Sequence, residues 1–332
     1  MIFHDKIINE KLIVNKDSFE LLKISDGEYF GKDFKDYISN SYCKFICPEE
    51  GGNPFEYKYG NHDFISQNLD FGSIVHRDIL ENEKSEIIVG SIPTTDKMNK
   101  ILIESAELQR KTGCKFDENI DFLIDKYEYK NKKTFEKNVL KFRKYYQYLL
   151  DDKRDCYFLS ESSFDVLNKC YSSIDYIKEY LNSQAGEHHY EEAILGSFTY
   201  KNDYKDNKGN STILKVKAKI DNFIIDHESK IITLNDLKTT ASSINDFMGS
   251  SFNKFHYSRQ FAFYLYLLNN LLQLDDYRLK ANVIVLSKLD GKFEIFPIKQ
   301  NIIENGYREF EDCLKRIGFH ETYGYNVLRE SI

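Results

Sequence analysis

Between Lys215 and Asp221 apolar and polar residues alternate, Val216, Ala218 and Ile220 on one side and Lys215, Lys217, Lys219 and Asp221 on the other. That period of two predicts a half-buried β-strand. A polar turn, Asp226 to Lys230, leads into a second strand-like run, Ile231 to Leu237. Further strands are expected at about 190 to 200, 281 to 287 and 292 to 297. Helical periodicity covers "FGSIVHRDILENE", then "TTDKMNKILIESAELQRKTG" with Thr95 near its start and Gly113 at its stop, and recurs at about 117 to 127, 134 to 150, 161 to 181 and 302 to 317. The chain thus reads as mixed at its start, helical in the middle and α/β at its end, with "YKNDYKDNKGN" as a polar hairpin tip.

The strand pair carries the candidate chemistry. Asp221 closes the basic strand face, while Asp236 and Lys238, two positions apart, project to one side roughly 6 to 7 Å from each other along the strand. The pattern places the two acids and the lysine at neighbouring strand ends. Two carboxylates suit a hard divalent cation such as Mg²⁺, and an adjacent ammonium can orient water and balance charge developing on phosphorus. A surface hairpin with solvated Asp and Lys is the plain alternative.

Further segments fall in order around this pair. "KAKID" followed by "LNDLKTT", then the helix "YSRQFAFYLYLL" with Gln260 and Tyr264 one turn apart, and upstream "HHYEEAILG" and "FGSIVHRDIL", together resemble the PD-(D/E)XK nuclease superfamily. Within it the RecE, or exonuclease VIII, type related to lambda-type exonucleases is the most similar. The resemblance covers about residues 70 to 300. It implies a restriction-endonuclease-like α/β core, a mixed central sheet of about four to five strands flanked by helices, with a helical insertion at about 95 to 185 inside a nuclease domain of residues 71 to 332. Residues 1 to 70 are a region of open role. The implied metal ligands are Asp221 and Asp236, aided by Glu191 and His76. Lys238 would orient water and stabilise charge, with Gln260 and Tyr264 in support. Glu191 competes with Glu192; strand alternation sends them to opposite faces, and the family spacing favours Glu191. His76 can equally be a satisfied helix residue, and His188 and His189 read as a solvated strand entry rather than a metal cluster.

Composition bounds the partners. The 332 residues are 41% hydrophobic and 30% charged, enough for a packed core. No apolar run approaches the ~18 residues a membrane span needs, and "MIFHDKIINE" lacks the pattern of a signal peptide, so a cytoplasmic protein is expected. The bias to Lys, Asn, Ile and Tyr fits an A/T-rich bacterial or phage genome. Six scattered cysteines offer no four-cysteine spacing, so neither an iron-sulphur cluster nor zinc is expected. A net charge of -7 speaks against a generally basic nucleic-acid coat, which places any DNA contact on local patches. Lys215, Lys217 and Lys219 are the leading DNA-binding candidates because they share a face with Asp221. The stretch from Lys126 to Lys144, eight basic residues against Glu128 and Glu136, is either a second patch or a solvated helix face.

The resemblance implies a Mg²⁺- or Mn²⁺-dependent deoxyribonuclease, an exonuclease acting from the ends of linear duplex DNA in recombination or phage DNA metabolism. It also implies a homo-oligomer and a single-strand annealing partner. An endonuclease or nickase on the same core, and a non-catalytic DNA-binding or assembly protein that kept the fold, are the alternatives.

Overall fold

The computed structural model describes residues 12–60, 67–81, 83–128, 132–151, 156–201 and 211–325. Most of the expected hairpin tip (202–210), Lys130 of the basic stretch, and residues 1–11 and 61–66 of the N-terminal region lie outside the described residues. The chain forms two compact units, one from residues 1–64 with 176–332 and one from 65–175.

The first unit is built on a seven-stranded sheet, and the second on helices with a small two-stranded sheet. The strands are, in chain order, β1 (Leu12–Val14), β2 (Glu20–Leu22), β3 (Glu86–Val89), β4 (Cys156–Leu159), β5 (Glu187–Lys201), β6 (Ser211–Asp226), β7 (Ile231–Thr240), β8 (Arg278–Ser287) and β9 (Phe293–Pro297). The main helices are α1 (Gln67–His76), α2 (Asp96–Thr112), α3 (Phe116–Lys126), α4 (Lys132–Lys141), α5 (Arg143–Asp151), α6 (Glu161–Ser183), α7 (Tyr257–Leu272) and α8 (Gln300–Tyr323).

In the sheet unit the order is β1-β5-β6-β7-β8-β9, with β2 also on β5. Among the named strands of this sheet in the described residues β7 and β8 pair in parallel and the others antiparallel; α7 lies in the crossover between β7 and β8, as a parallel connection requires. This is a mixed α/β fold with a central, mostly antiparallel sheet and helices packed on it, the expected class. The five strands β5 to β9 are those the sequence alternation marked. β1 and β2 add two more, each of three residues, too short to show a period. One sheet face meets α7 and α8 in a core that includes Ile194, Phe198, Val216, Leu234, Val283, Phe261, Leu265 and Phe310. Burying each such side chain contributes about 1.5–3 kcal/mol. α7 and α8 approach so closely that a Cβ on Gly306 would lie 1.9 Å from the Ser258 carbonyl oxygen, so only glycine fits there.

The N-terminal region is not separate from this unit. β1 and β2 pair with β5, and Ile38 forms a parallel bridge to Val216. The buried Arg259 of α7 donates from Nε to Asn40 Oδ1 at 3.0 Å and pairs with Glu50 at 2.5 Å. The described residues 12–60 thus complete the sheet unit.

In the helical unit α2 starts and stops where the sequence signals place it. Thr95 Oγ1 accepts from the Met98 N–H, and Gly113 closes the helix at φ 76°. Its core gathers Ile101 and Leu102 of α2, Leu123 of α3, Phe135 of α4, Tyr145 and Tyr146 of α5 and Phe158 of β4. The unit takes in α1 and the parallel pair β3–β4. Part of the basic stretch is neutralised inside it: Lys126 pairs with Glu104, and Lys132 with Asp121 at 2.6 Å. Among the described residues no helix is long and apolar enough to cross a membrane.

Candidate active site

β6 and β7 are zipped together from Asp226↔Ile231 to Asn222↔Asn235, and there their pairing stops. Asp221 and Asp236 are the next residue on each strand. Asp221 thus lies inside β6 rather than at a strand end as expected, because β6 runs on to Ser211 paired with β5. Asp226 closes the hairpin at the other end, its carboxylate accepting from the Glu228 and Ser229 N–H groups.

A second irregularity sits at the same level. β5 and β6 pair at Tyr190↔Asn222 and at Glu192↔Ile220, with Glu191 and Asp221 left between these pairs. Glu191 has φ 53°, a left-handed conformation that costs a non-glycine residue roughly 1–2 kcal/mol. The core-facing residues of β6 change phase across this point: Leu214, Val216, Ala218 and Ile220 before it, Phe223 and Ile225 after it. The kink brings a carboxylate oxygen of Glu191 and one of Asp221 within 4.8 Å of each other.

Buried amides brace the kink. Asn222 Nδ2 donates to the His189 carbonyl at 3.0 Å, Asn235 Nδ2 to Asn222 Oδ1 at 2.7 Å, and Asn282 Nδ2 to Asn235 Oδ1 at 2.9 Å. This row runs from β5 to β8 one residue away from both aspartates.

The predicted trio converges. Asp236 is buried, accepting at Oδ1 from Gln260 Nε2 (2.8 Å) and pairing at Oδ2 with Lys238 Nζ (2.5 Å). Asp221 is half-buried and accepts the Leu237 N–H at 2.7 Å, which ties it to the strand segment between Asp236 and Lys238. Burial pushes its pKa above the ordinary carboxylate range, opposed by the Lys238 ammonium and the Leu237 hydrogen bond. At Lys238 burial works against the charge, but the Asp236 and Asp221 carboxylates outweigh it and hold the pKa above that of an ordinary lysine. Gln260 comes from α7 as the spacing required. Tyr264, one turn on, is half-buried, and burial, then Tyr29 and the Asp236 and Asp221 carboxylates, raise its phenol pKa.

The other sequence candidates divide. Glu191 faces Asp221 and Lys219, its Oε2 2.8 Å from Lys219 Nζ, whereas Glu192 bonds His189 Nδ1 at 2.9 Å. Lys219 also pairs with Asp26 at 2.5 Å, so it bridges the site to the N-terminal region. Lys215 is exposed, its Nζ over the Tyr37 ring. Lys217 corrects the expectation of one open basic face. The helical turn Asp26–Tyr29 covers it, and its Nζ donates inward to the Tyr29 carbonyl at 2.7 Å, over the Tyr29 ring. Burial lowers its pKa to about 8. His189 is not a solvated strand entry: it stacks on Phe223 with ring centroids 4.2 Å apart. His188 bonds the Gln184 carbonyl at 2.9 Å. His76 ends α1 in the helical unit.

Sequence reasoning missed Asp26, Tyr257 and the asparagine row. The row had a signal: Asp221-Asn222 and Asn235-Asp236 mirror one another across the hairpin, and asparagine is disfavoured in strands unless it has a partner there.

The carboxylates of Asp221 and Glu191 offer hard oxygens, which suit Mg²⁺, Mn²⁺ or Ca²⁺ rather than a thiophilic metal. A half-buried carboxylate pushed toward its neutral form beside a second carboxylate is also what a divalent cation would stabilise, so the residues fit one.

No protein-family model matches the chain, and no curated protein matches it. Among solved structures it is similar to a candidate exonuclease from Eubacterium rectale, at 14% identity and TM-score 0.45 over 94% of this chain and 96% of that one. It is also similar to Rai1 of Scheffersomyces stipitis, solved with (3'-NADP)+ and a calcium ion, at 12% identity and TM-score 0.21 over 98% and 84%.

Proposed function

We propose that this protein is a divalent-metal-dependent phosphodiester hydrolase acting on DNA, an exonuclease that degrades linear duplexes from their ends. The observation that carries the reading is the convergence of Asp221, Asp236 and Lys238 where β6 and β7 part, with Gln260 holding one oxygen of Asp236 and Glu191 brought beside Asp221. Asp221, Glu191 and Asp236 would hold the cation, which when bound supplies water activation and stabilisation of charge on the phosphoryl oxygens. Lys238 keeps its proton throughout neutral pH and presents N–H donors beside Asp221 and Asp236, where a phosphoryl oxygen or attacking water can accept them. Asp236 fixes that ammonium through Oδ2, and Gln260 fixes Asp236 through Oδ1, so each group is oriented by the next. DNA would approach by the open part of the β6 lysine face, Lys215, since Lys219 is held between Asp26 and Glu191. End dependence, the homo-oligomer and the annealing partner follow from the sequence resemblance, not from these contacts.

The test is incubation of the protein with end-labelled linear duplex and with covalently closed circular DNA, in Mg²⁺ or EDTA. Mg²⁺-dependent shortening of the linear duplex from its ends, with the circle intact, is the expected result. Cleavage of the circle would replace the exonuclease reading by an endonuclease, and no cleavage of either would leave a non-catalytic DNA-binding protein.

A further inference from the structure

α7 delivers a second group to the site. Tyr257, Gln260 and Tyr264 occupy one face of this helix at i, i+3 and i+7, and while Gln260 reaches Asp236, Tyr257 reaches Lys238. The Lys238 Nζ stands over the Tyr257 ring, 5.3 Å from its centroid. That is within the range at which an ammonium is held by the ring's electron-rich face.

The ring is itself fixed. It stacks on Phe247 (centroids 5.8 Å, planes 22° apart) and meets the edge of Phe252 (5.8 Å, 66°). Both phenylalanines are buried. Gly306 lets the start of α7 sit this close to α8, which sets where Tyr257 begins. Lysine brings a flexible four-carbon stem and three rotating donors, so a charge pair at one end would leave it several orientations. Here Asp236 takes the ammonium from one side and the Tyr257 face from another, and with its side chain 18% exposed Lys238 still reaches solvent.

We infer that Tyr257 is a positioning residue that holds the Lys238 ammonium against its ring face and so aims the remaining N–H donor at the reacting phosphodiester. This rests on the hydrolase reading above. The ring, not the hydroxyl, does the holding, so phenylalanine should replace it and leucine should not.

The test compares Tyr257→Phe and Tyr257→Leu with the wild-type protein and with Lys238→Ala in Mg²⁺-dependent hydrolysis of linear duplex DNA. The same proteins, labelled at lysine with ¹³C, are examined by NMR for the ring-current shift of the Lys238 Hε protons. Tyr257→Leu should lower kcat about tenfold at unchanged KM, the size expected of one cation–π contact in a partly desolvated site. Tyr257→Phe should stay within about twofold of wild type. Upfield Lys238 Hε signals should be present in the wild type and Tyr257→Phe and lost in Tyr257→Leu, with thermal unfolding little changed. Full kcat in Tyr257→Leu, a loss carried by KM, an equal loss in Tyr257→Phe, or a Lys238 signal indifferent to leucine would each overturn the inference. If the wild-type protein hydrolyses nothing, the hydrolase reading fails and the positioning role with it. The NMR comparison then still decides separately whether the ring holds the ammonium.

Discussion

The two halves of β6 differ sharply. From Asn222 to Ile225 the strand is paired on both sides, to β5 and to β7, and the residues it gives to the main core are Phe223 and Ile225. From Ser211 to Ile220 it keeps β5 but has lost β7, the phase is that of Val216 and Ala218, and the N-terminal region bridges it at Ile38. Asp221, Glu191, Asp236 and Lys238 cluster where one regime gives way to the other. Regular antiparallel pairing can set opposite acids on one face with Cβ atoms about 4.5–5.5 Å apart, but it ties up the backbone groups between them. Where β6 and β7 part, the Leu237 N–H binds the Asp221 carboxylate rather than a ladder partner on β6, and the left-handed Glu191 interrupts the β5 pairing beside it. The zipped half, braced by the asparagine row, holds the geometry rigid.

The largest effect should come from removing the charge pair at the parting. Lys238→Ala or Asp236→Asn should lower kcat on linear duplex DNA by about 100- to 1,000-fold or more, while circular dichroism reports an unchanged fold. Activity within tenfold of wild type in either would separate the pair from the chemistry. Next is the support from the helix: Gln260→Leu should cost roughly 10- to 100-fold in activity or in metal affinity, because the Asp236 oxygen it serves loses its orientation. A titration of activity against Mn²⁺ shows which. Gly306→Ala tests the frame behind that helix. The added methyl must push α7 from α8, so we expect about 1–3 kcal/mol of destabilisation in urea unfolding together with a partial loss of activity.

The smallest effect belongs to the covered half of β6 and depends on pH. Burial lowers Lys217 to about 8 from an ordinary 10.5, outweighing the pull of the Tyr29 carbonyl and ring on its charge. Between those values the unfolded chain binds the proton more readily than the folded one, so this group makes stability climb as pH rises from about 8 to about 10.5. Lys217→Met should be at least as stable as wild type at pH 7, and the wild type should gain on it toward pH 10. A melting-temperature difference that is flat with pH would show Lys217 to be solvated.

Much of this was legible from residues alone. The hairpin was readable because Lys215 to Asp221 alternate and a strand-like run, Ile231 to Leu237, follows a polar turn, and Gln260 through the family resemblance of its helix. The phase change was not, since a left-handed glutamate leaves no mark in the sequence where a glycine would. Nor was the fate of Lys217, which depends on a turn nearly 190 residues earlier in the chain folding over it. Tyr257 stayed hidden in the aromatic-rich segment "FHYSRQFAFYLYLL", where core and site residues share one composition.

The central claim is that carboxylates at the parting of β6 and β7 bind a divalent cation. Anomalous diffraction from crystals soaked in Mn²⁺ tests it most directly. The account expects a peak at the carboxylates of Asp221, Glu191 and Asp236, absent in Asp221→Asn crystals soaked alike; no peak there, or one that survives the substitution, would contradict it.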